Sequence, residues 1–258
     1  IDIYAFYGLE SLLELSLYSN KIIDIEAEHF SFMENLEILH LTDNFIENIN
    51  KNSFLKVSKL KKLHLGENIL YSLDENIFQN LINLEELNLR KNFISNLRFE
   101  LDNLIELKSL ILFDNNLKFL DKFLLKNLIC LTDADFSNNN IKVLEKFPNL
   151  EKMEYLELSA NEIQKIEKET FLGLKNLRFL ILNYNKIYFI ENDAFKGLDS
   201  LSKLEIDNNY LSEFDRNLFK YLVNLRTLSL TNNALEIIKN DSFFTLRNLR
   251  KLSLQNNR

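Results

Sequence analysis

Apolar residues recur along this chain in one fixed frame. From Leu12 the sequence reads Leu12-x-x-Leu15-x-Leu17-x-x-Asn20-x-Ile22-x-x-Ile25, with Phe30 ten residues past the Asn. The frame returns as Leu36, Leu39, Leu41, Asn44, Ile46, Ile49, Phe54, and again as Leu60, Leu63, Leu65, Asn68, Leu70, Leu73, Phe78. The Asn recurs at 20, 44, 68, 92, 115, 139, 161, 185, 209, 233 and 257, in steps of 24 apart from one 23 and one 22. Such a period marks a stacked repeat array. The last two Leu of each Leu-x-x-Leu-x-Leu alternate with polar residues, the pattern of a half-buried strand. Repeats in register predict parallel strands lying side by side.

The other columns follow from residue chemistry. Asn stands where the chain must leave the strand and turn inward, and its amide offers both donor and acceptor to otherwise stranded backbone groups. Phe6, Phe30, Phe54, Phe78, Phe171, Phe195, Phe219 and Phe243 form a column predicted to stack as an aromatic spine. Stretches such as Glu26-Ala27-Glu28-His29 predict short helical or 3₁₀ turns on the outer side. A single repeat would leave both flanks of its apolar set wet, so stability comes from stacking.

These residues resemble the typical 24-residue leucine-rich repeat, Leu-x-x-Leu-x-Leu-x-x-Asn-x-Ile-x-x-Ile-x-x-x-x-Phe-x-x-Leu, of Toll-family receptors, small leucine-rich proteoglycans and insect immune repeat proteins. The resemblance implies an α/β solenoid, a horseshoe with a parallel β-sheet on its concave face and short helical, 3₁₀ or irregular segments on its convex face. It also implies an extracellular protein, secreted or a cell-surface ectodomain, that binds a protein, glycan or lipid ligand, in innate immunity or extracellular signalling. A structural or self-associating module and an intracellular adaptor are the alternatives, the last with a cytoplasmic location.

The whole of 1–258 reads as one domain of about eleven repeats. Three repeats depart from the frame: the Phe column passes to Leu101 and Leu125, Ala134 and Phe136 occupy strand-core places, and Phe147-Pro148 follows. A local change of curvature or neutral drift accounts for these equally. Ile1 enters part-way through a repeat and Arg258 follows directly on a strand, without polar caps, so a fragment of a longer protein is expected.

Composition narrows the function classes. With 31 basic against 38 acidic residues and a net charge of −7, nucleic acid is not an expected partner. No apolar run long enough to span a membrane is present. Three His, no Gly-rich phosphate loop and no HExxH or Gly-x-Ser-x-Gly motif point away from catalysis, and neither metal nor cofactor is expected. The lone Cys130 reads as a structural, partly buried thiol or an intermolecular disulfide partner. Asn240-Asp241-Ser242 is the one N-glycosylation sequon, placed on the outer side.

Alternation sends the residues between the strand Leu outward, where the fold leaves them free to vary. Most are polar. The exceptions gather in the middle of the array: Ile111, Phe113, Tyr155, Phe179, Ile181 and, at a strand exit, Tyr184, interspersed with Asp114, Asp133, Asp135 and Glu157. Rings with carboxylates suit a protein partner that presents a basic or amine-bearing group beside an apolar one. A solvated face with scattered apolar residues is the competing account. A homo- or heterodimer contact is a further use of such a surface. His40 and His64 share one outward column on adjacent strands without an obvious third metal ligand, and read as solvated.

Overall fold

The computed structural model describes residues 1–97, 100–121 and 123–258. The chain packs as two compact units, Ile1–Leu117 with Phe123–Leu131, and Lys118–Lys122 with Thr132–Arg258. The division falls among the irregular repeats.

The first unit contains β1 (Glu14–Ser16), β2 (Asp24–Ile25), β3 (Ile38–His40), β4 (Asn48–Ile49), β5 (Lys62–His64), β6 (Glu86–Asn88) and β7 (Ser109–Ile111). Its main sheet runs β1-β3-β5-β6-β7, all parallel, with Leu15, Leu39, Leu63, Leu87 and Leu110 in one register line. The second unit contains β8 (Asp133–Asp135), β9 (Tyr155–Glu157), β10 (Lys165–Ile166), β11 (Phe179–Ile181), β12 (Phe189–Ile190), β13 (Lys203–Glu205), β14 (Thr227–Ser229) and β15 (Lys251–Ser253). There the order is β8-β9-β11-β13-β14-β15, again parallel, with Ala134, Leu156, Leu180, Leu204, Leu228 and Leu252 aligned. Short pairs β2–β4 and β10–β12 close part of the far side of each unit. Both units are therefore the expected leucine-rich-repeat solenoid of parallel strands.

Each main strand ends after three residues for a reason the repeat pattern had not signalled. The residue just before each ladder Asn turns left-handed: φ is 59° at Asp43, 55° at Glu67, 57° at Asp114, 52° at Ala160 and 54° at Tyr184. For non-glycine residues this costs on the order of 1 kcal/mol each. Hydrogen bonds to the next coil hold it: the Glu67 N–H donates to Arg90 O at 2.8 Å and the Tyr184 N–H to Asp207 O at 2.9 Å. The Asn then completes the turn. Asn68 Oδ1 accepts the Ile46 N–H at 2.9 Å, while its amide donates to Leu41 O, Leu65 O and Gly66 O within 3.1 Å. Asn44 through Asn233 repeat this role as buried side chains.

The aromatic spine is present. Phe30, Phe54 and Phe78 stack at 6.3 and 6.2 Å between centroids, and Phe171, Phe195, Phe219 and Phe243 at 6.2, 6.3 and 6.0 Å. Phe147 joins it, 5.7 Å from Phe171, although it stood out in the sequence only as an oddity beside Pro148. Leu101, Leu125, Ala134 and Phe136 are all buried, so the irregular repeats keep the core filled.

The outer side differs from expectation. No helix or 3₁₀ segment occurs among the described residues; of the stretch 26–29, residues 27–29 are turn. Its hydrogen bonds are separate i→i−3 closures, His29 N–H to Glu26 O and Ser31 N–H to Glu28 O, rather than a consecutive ladder. So short a span must also deliver Phe30 and Met33 inward, and both are fully buried. It closes single turns without the length that helix nucleation requires. No helix among the described residues is long and apolar enough to cross a membrane.

Candidate binding face

In the second unit, register brings the outward residues into columns. Asp133, Tyr155, Phe179 and Lys203 form one, and Asp135, Glu157, Ile181 and Glu205 the next. Tyr155 and Phe179 rings lie 6.3 Å apart and tilted by 47°, and the Arg178 guanidinium sits 5.9 Å from the Phe179 ring. The Tyr155 hydroxyl donates to Glu157 Oε2 at 2.8 Å. Burial, that hydrogen bond and the carboxylates of Glu157, Asp135 and Glu205 together push the phenol well above its ordinary pKa, so it stays a neutral donor.

The carboxylates differ in how they are satisfied. Glu205 is neutralised by Lys203 Nζ at 2.7 Å and takes the Asn183 amide at 3.0 Å. Asp135 accepts the Ser137 N–H at 2.9 Å, Glu157 the Ser159 N–H at 3.1 Å, and Asp133 the Thr132 hydroxyl at 2.6 Å. No cation among the described residues pairs with Asp133, Asp135 or Glu157. They keep three negative charges beside two rings.

The remaining expected site residues are distributed less favourably. Ile181 lies in the outward column yet is 6% exposed, in register between Glu157 and Glu205. Tyr184 is 64% exposed, carried outward by its left-handed turn. Ile111, Phe113 and Asp114 are half-buried residues of the first unit, Ile111 paired in register with Asn88. Asn240 is exposed on the outer side, but the sequon's Ser242 is buried and its hydroxyl donates to Lys239 O at 2.7 Å.

Comparison with known proteins fits this geometry. A family model described as BspA type leucine rich repeat region matches residues 1–106 and 67–147, and one described as leucine rich repeat matches 151–211 and 199–258. The first alone reaches over more than half of the sequence. The chain belongs to the leucine-rich-repeat family. Among solved structures it is similar to TLR13 in its complex with ssRNA13, at 28% identity and a TM-score of 0.90, covering 95% of this chain and 36% of that one. It is similar to the APL1 leucine-rich-repeat domain at 23% identity and TM-score 0.85, over 100% of this chain and 64% of that one. A Leptospira interrogans leucine-rich-repeat protein aligns at 27% identity and TM-score 0.74, over 97% of this chain and 68% of that one. This leucine-rich-repeat chain thus spans about a third of TLR13 and under two thirds of APL1. No curated protein sequence matches it.

One feature of this leucine-rich-repeat chain escaped the sequence pattern, and another showed there only as a recurring residue type at the position of Cys130 (Asn83, Asn176, Asn224, Asn248). A second asparagine ladder runs along the edge ahead of the strands: Asn35, Asn83, Asn176, Asn224 and Asn248 each donate to a carbonyl of the preceding repeat at 2.6–2.9 Å. The recurrence of Asn immediately before the first Leu of the strand motif was its visible signal. Cys130 occupies the same column, partly buried, with Sγ 3.8 Å from Glu106 Oε2. The other feature is a joined histidine pair. His40 and His64 meet Nδ1 to Nδ1 at 3.0 Å, with His64 Nε2 3.0 Å from Glu86 and His40 Nε2 3.7 Å from Glu14. They are coupled rather than separately solvated, and no group of three or more potential ligands among the described residues could hold a metal.

Proposed function

We propose that this chain is a recognition scaffold, not a catalyst, and that the strand face of the second unit engages a protein that presents a lysine or arginine beside an apolar side chain. The single observation that carries it is the set Asp133, Asp135 and Glu157, unpaired with any described cation and set beside Tyr155 and Phe179. A carboxylate left without a cation on a rigid sheet interacts with an incoming cation without first giving up an internal partner, and the rings supply contact area. Tyr184 belongs to the same proposed surface, Ile111, Phe113 and Asp114 are proposed contact residues on the first unit's own strand face, and Asn240 is the proposed glycan acceptor. TLR13, at 28% identity, was solved in complex with ssRNA13, which supports a ligand-binding role for an array of this kind. We further propose an extracellular setting, in immunity or signalling, and a single repeat domain, on the family resemblance of the repeat motif.

The test is calorimetric titration with a short peptide carrying arginine next to leucine, against its citrulline counterpart. The charged peptide should bind more tightly, and Asp135→Asn with Glu157→Gln should remove the difference. Equal binding of both peptides defeats the proposal. Mass that rises with concentration in light scattering, and falls with the same substitutions, would assign the face to self-association instead.

A further inference from the structure

The edge ahead of the strands in the second unit carries a notch that the strand-face reading does not use. Two columns line that edge. One, immediately before the first Leu of each strand motif, holds Asn176, Ser200, Asn224 and Asn248; the other, immediately after it, holds Arg178, Ser202, Arg226 and Arg250. In the repeat that starts at Leu201 both columns lapse to serine. Two long side chains are missing from an otherwise continuous edge, and a cavity of about 380 Å³ opens there. Arg178 stands on one side of it and Arg226 and Arg250 on the other, with Asn224 and Asn248 completing the wall.

The chemistry of the lining is one-sided. It contains three cations and no carboxylate. Arg178 shares Glu154 at 3.5 Å, an exposed contact of little strength. Arg226 and Arg250 form no ion pair with any described residue, and the Ser200 and Ser202 hydroxyls make no hydrogen bond among them. The neighbouring asparagines are already engaged, Asn224 donating to Asp199 O and Asn248 to Val223 O, so the wall is fixed while the Arg226 and Arg250 guanidiniums and the serine hydroxyls are free. The backbone is fixed too: the Arg226 N–H donates to Ser202 O and the Arg250 N–H to Arg226 O, both at 2.8 Å. Adjacent strands lie about 4.8 Å apart, so Arg178 and Arg226 flank Ser202 across about 10 Å, within reach of two extended arginines.

Residue choice sharpens the chemistry. Lysines outnumber arginines 23 to 8 in this chain, yet every cation lining the notch is arginine. Arginine differs from lysine in its planar fork, which matches two oxygens of one oxyanion. A planar carboxylate is filled by one such fork. A tetrahedral group has oxygens left for a second fork and for hydroxyl donors, and the notch offers both.

We propose that this notch binds a tetrahedral oxyanion, a sulfate or phosphate group, with Arg178, Arg226 and Arg250 as its cationic clamp and Ser200 and Ser202 as hydroxyl donors. The group is either a free anion or an ester borne on a sugar. The notch adjoins the strand face through the contact of Arg178 with Phe179, and the proposal stands whether or not that face binds a cationic partner.

Calorimetric titration of the chain at constant ionic strength, with inorganic sulfate, inorganic phosphate and glucose 6-sulfate, tests it. One saturable site is expected. Arg226→Gln should weaken it by roughly tenfold or more, and Arg226→Lys, which keeps the charge and loses the fork, should fall between the two. Ser202→Leu fills the notch while leaving all three arginines, and should abolish binding; circular dichroism verifies that each variant is folded. Tighter binding of glucose 6-sulfate than of inorganic sulfate assigns the sugar ester, and equal binding the free anion. Absence of saturation, equal affinity for acetate, or survival of binding in Ser202→Leu overturns the proposal. An oligoribonucleotide that binds Ser202→Leu as well as wild type would likewise replace it with general attraction to a basic edge.

Discussion

The strand faces of the two units are built on the same frame and differ in how completely they neutralise charge. In the first unit, charges on neighbouring strands alternate in sign and cancel: Lys62 meets Glu86 at 3.1 Å, Lys61 meets Glu37 at 2.8 Å, and Glu67 takes Arg90 at 2.9 Å. In the second unit, Asp135 and Glu157 stand opposite each other in register, with like sign and no cation. In-register stacking makes each outward column a run of nearest neighbours, so self-neutralisation or an open charge is decided one residue at a time. A column that repeats one sign is destabilising on its own, and the proposed cationic partner would offset that repulsion.

That comparison assumes an equivalent frame beneath both faces, and breaking the frame should have equal effects. Phe54→Ala in the first unit and Phe195→Ala in the second each remove a fully buried ring from the spine. Each should cost roughly 3–5 kcal/mol. Urea midpoints that differ severalfold between the two substitutions would show that the units are not built alike.

The next effect is the asparagine ladder. Asn68→Ala and Asn185→Ala each leave a buried N–H and carbonyls without partners, and each should cost roughly 1–3 kcal/mol by thermal or chemical unfolding. Asn20 is exposed and its side chain donates only to Leu17 O and Tyr18 O among the described residues, so Asn20→Ala should cost less.

Spine and ladder were legible because each column keeps one residue type, and a buried position that recurs every 24 residues admits few alternatives. The left-handed column was not: Asp43, Glu67, Lys91, Ala160 and Tyr184 share a backbone angle but no side-chain chemistry, since stacking hydrogen bonds enforce φ whatever the residue. Phe147 was illegible as a spine member because a 22-residue repeat displaces it from the frame. At the face, alternation placed Tyr155 and Glu157 outward correctly but could not foresee that Ile181 would be covered. Cross-strand coverage depends on the lengths of three neighbouring side chains at once.

Acid provides a smaller probe of the neutralised face. His64 is surrounded by His40, Glu86 and Lys62, and burial, aided by the charges of His40 and Lys62, lowers its pKa despite the opposing pull of Glu86. Its folded pKa therefore lies below the unfolded value of about 6.5. The unfolded chain takes up the proton more readily, so stability is full above that pH and declines as the pH falls through it. Wild type should lose more stability between pH 7.5 and 5.5 than His64→Asn does. Parallel curves would mean that the histidine pair does not oppose protonation.

The smallest effect discriminates most directly, because the two units should respond with opposite sign. Glu86→Gln removes the charge that meets both Lys62 and His64, and should destabilise by up to about 1 kcal/mol, as for a partly exposed pair. Asp135→Asn removes a charge that meets none, and its Oδ1 can still accept the Ser137 N–H. Relief of like-charge contact with Glu157 should then stabilise the chain by about 0.2–1 kcal/mol. Both effects should shrink in added salt, which screens exposed charges. A destabilising Asp135→Asn would mean that the carboxylate serves the fold, and the open charge on the second face would need no partner to explain it.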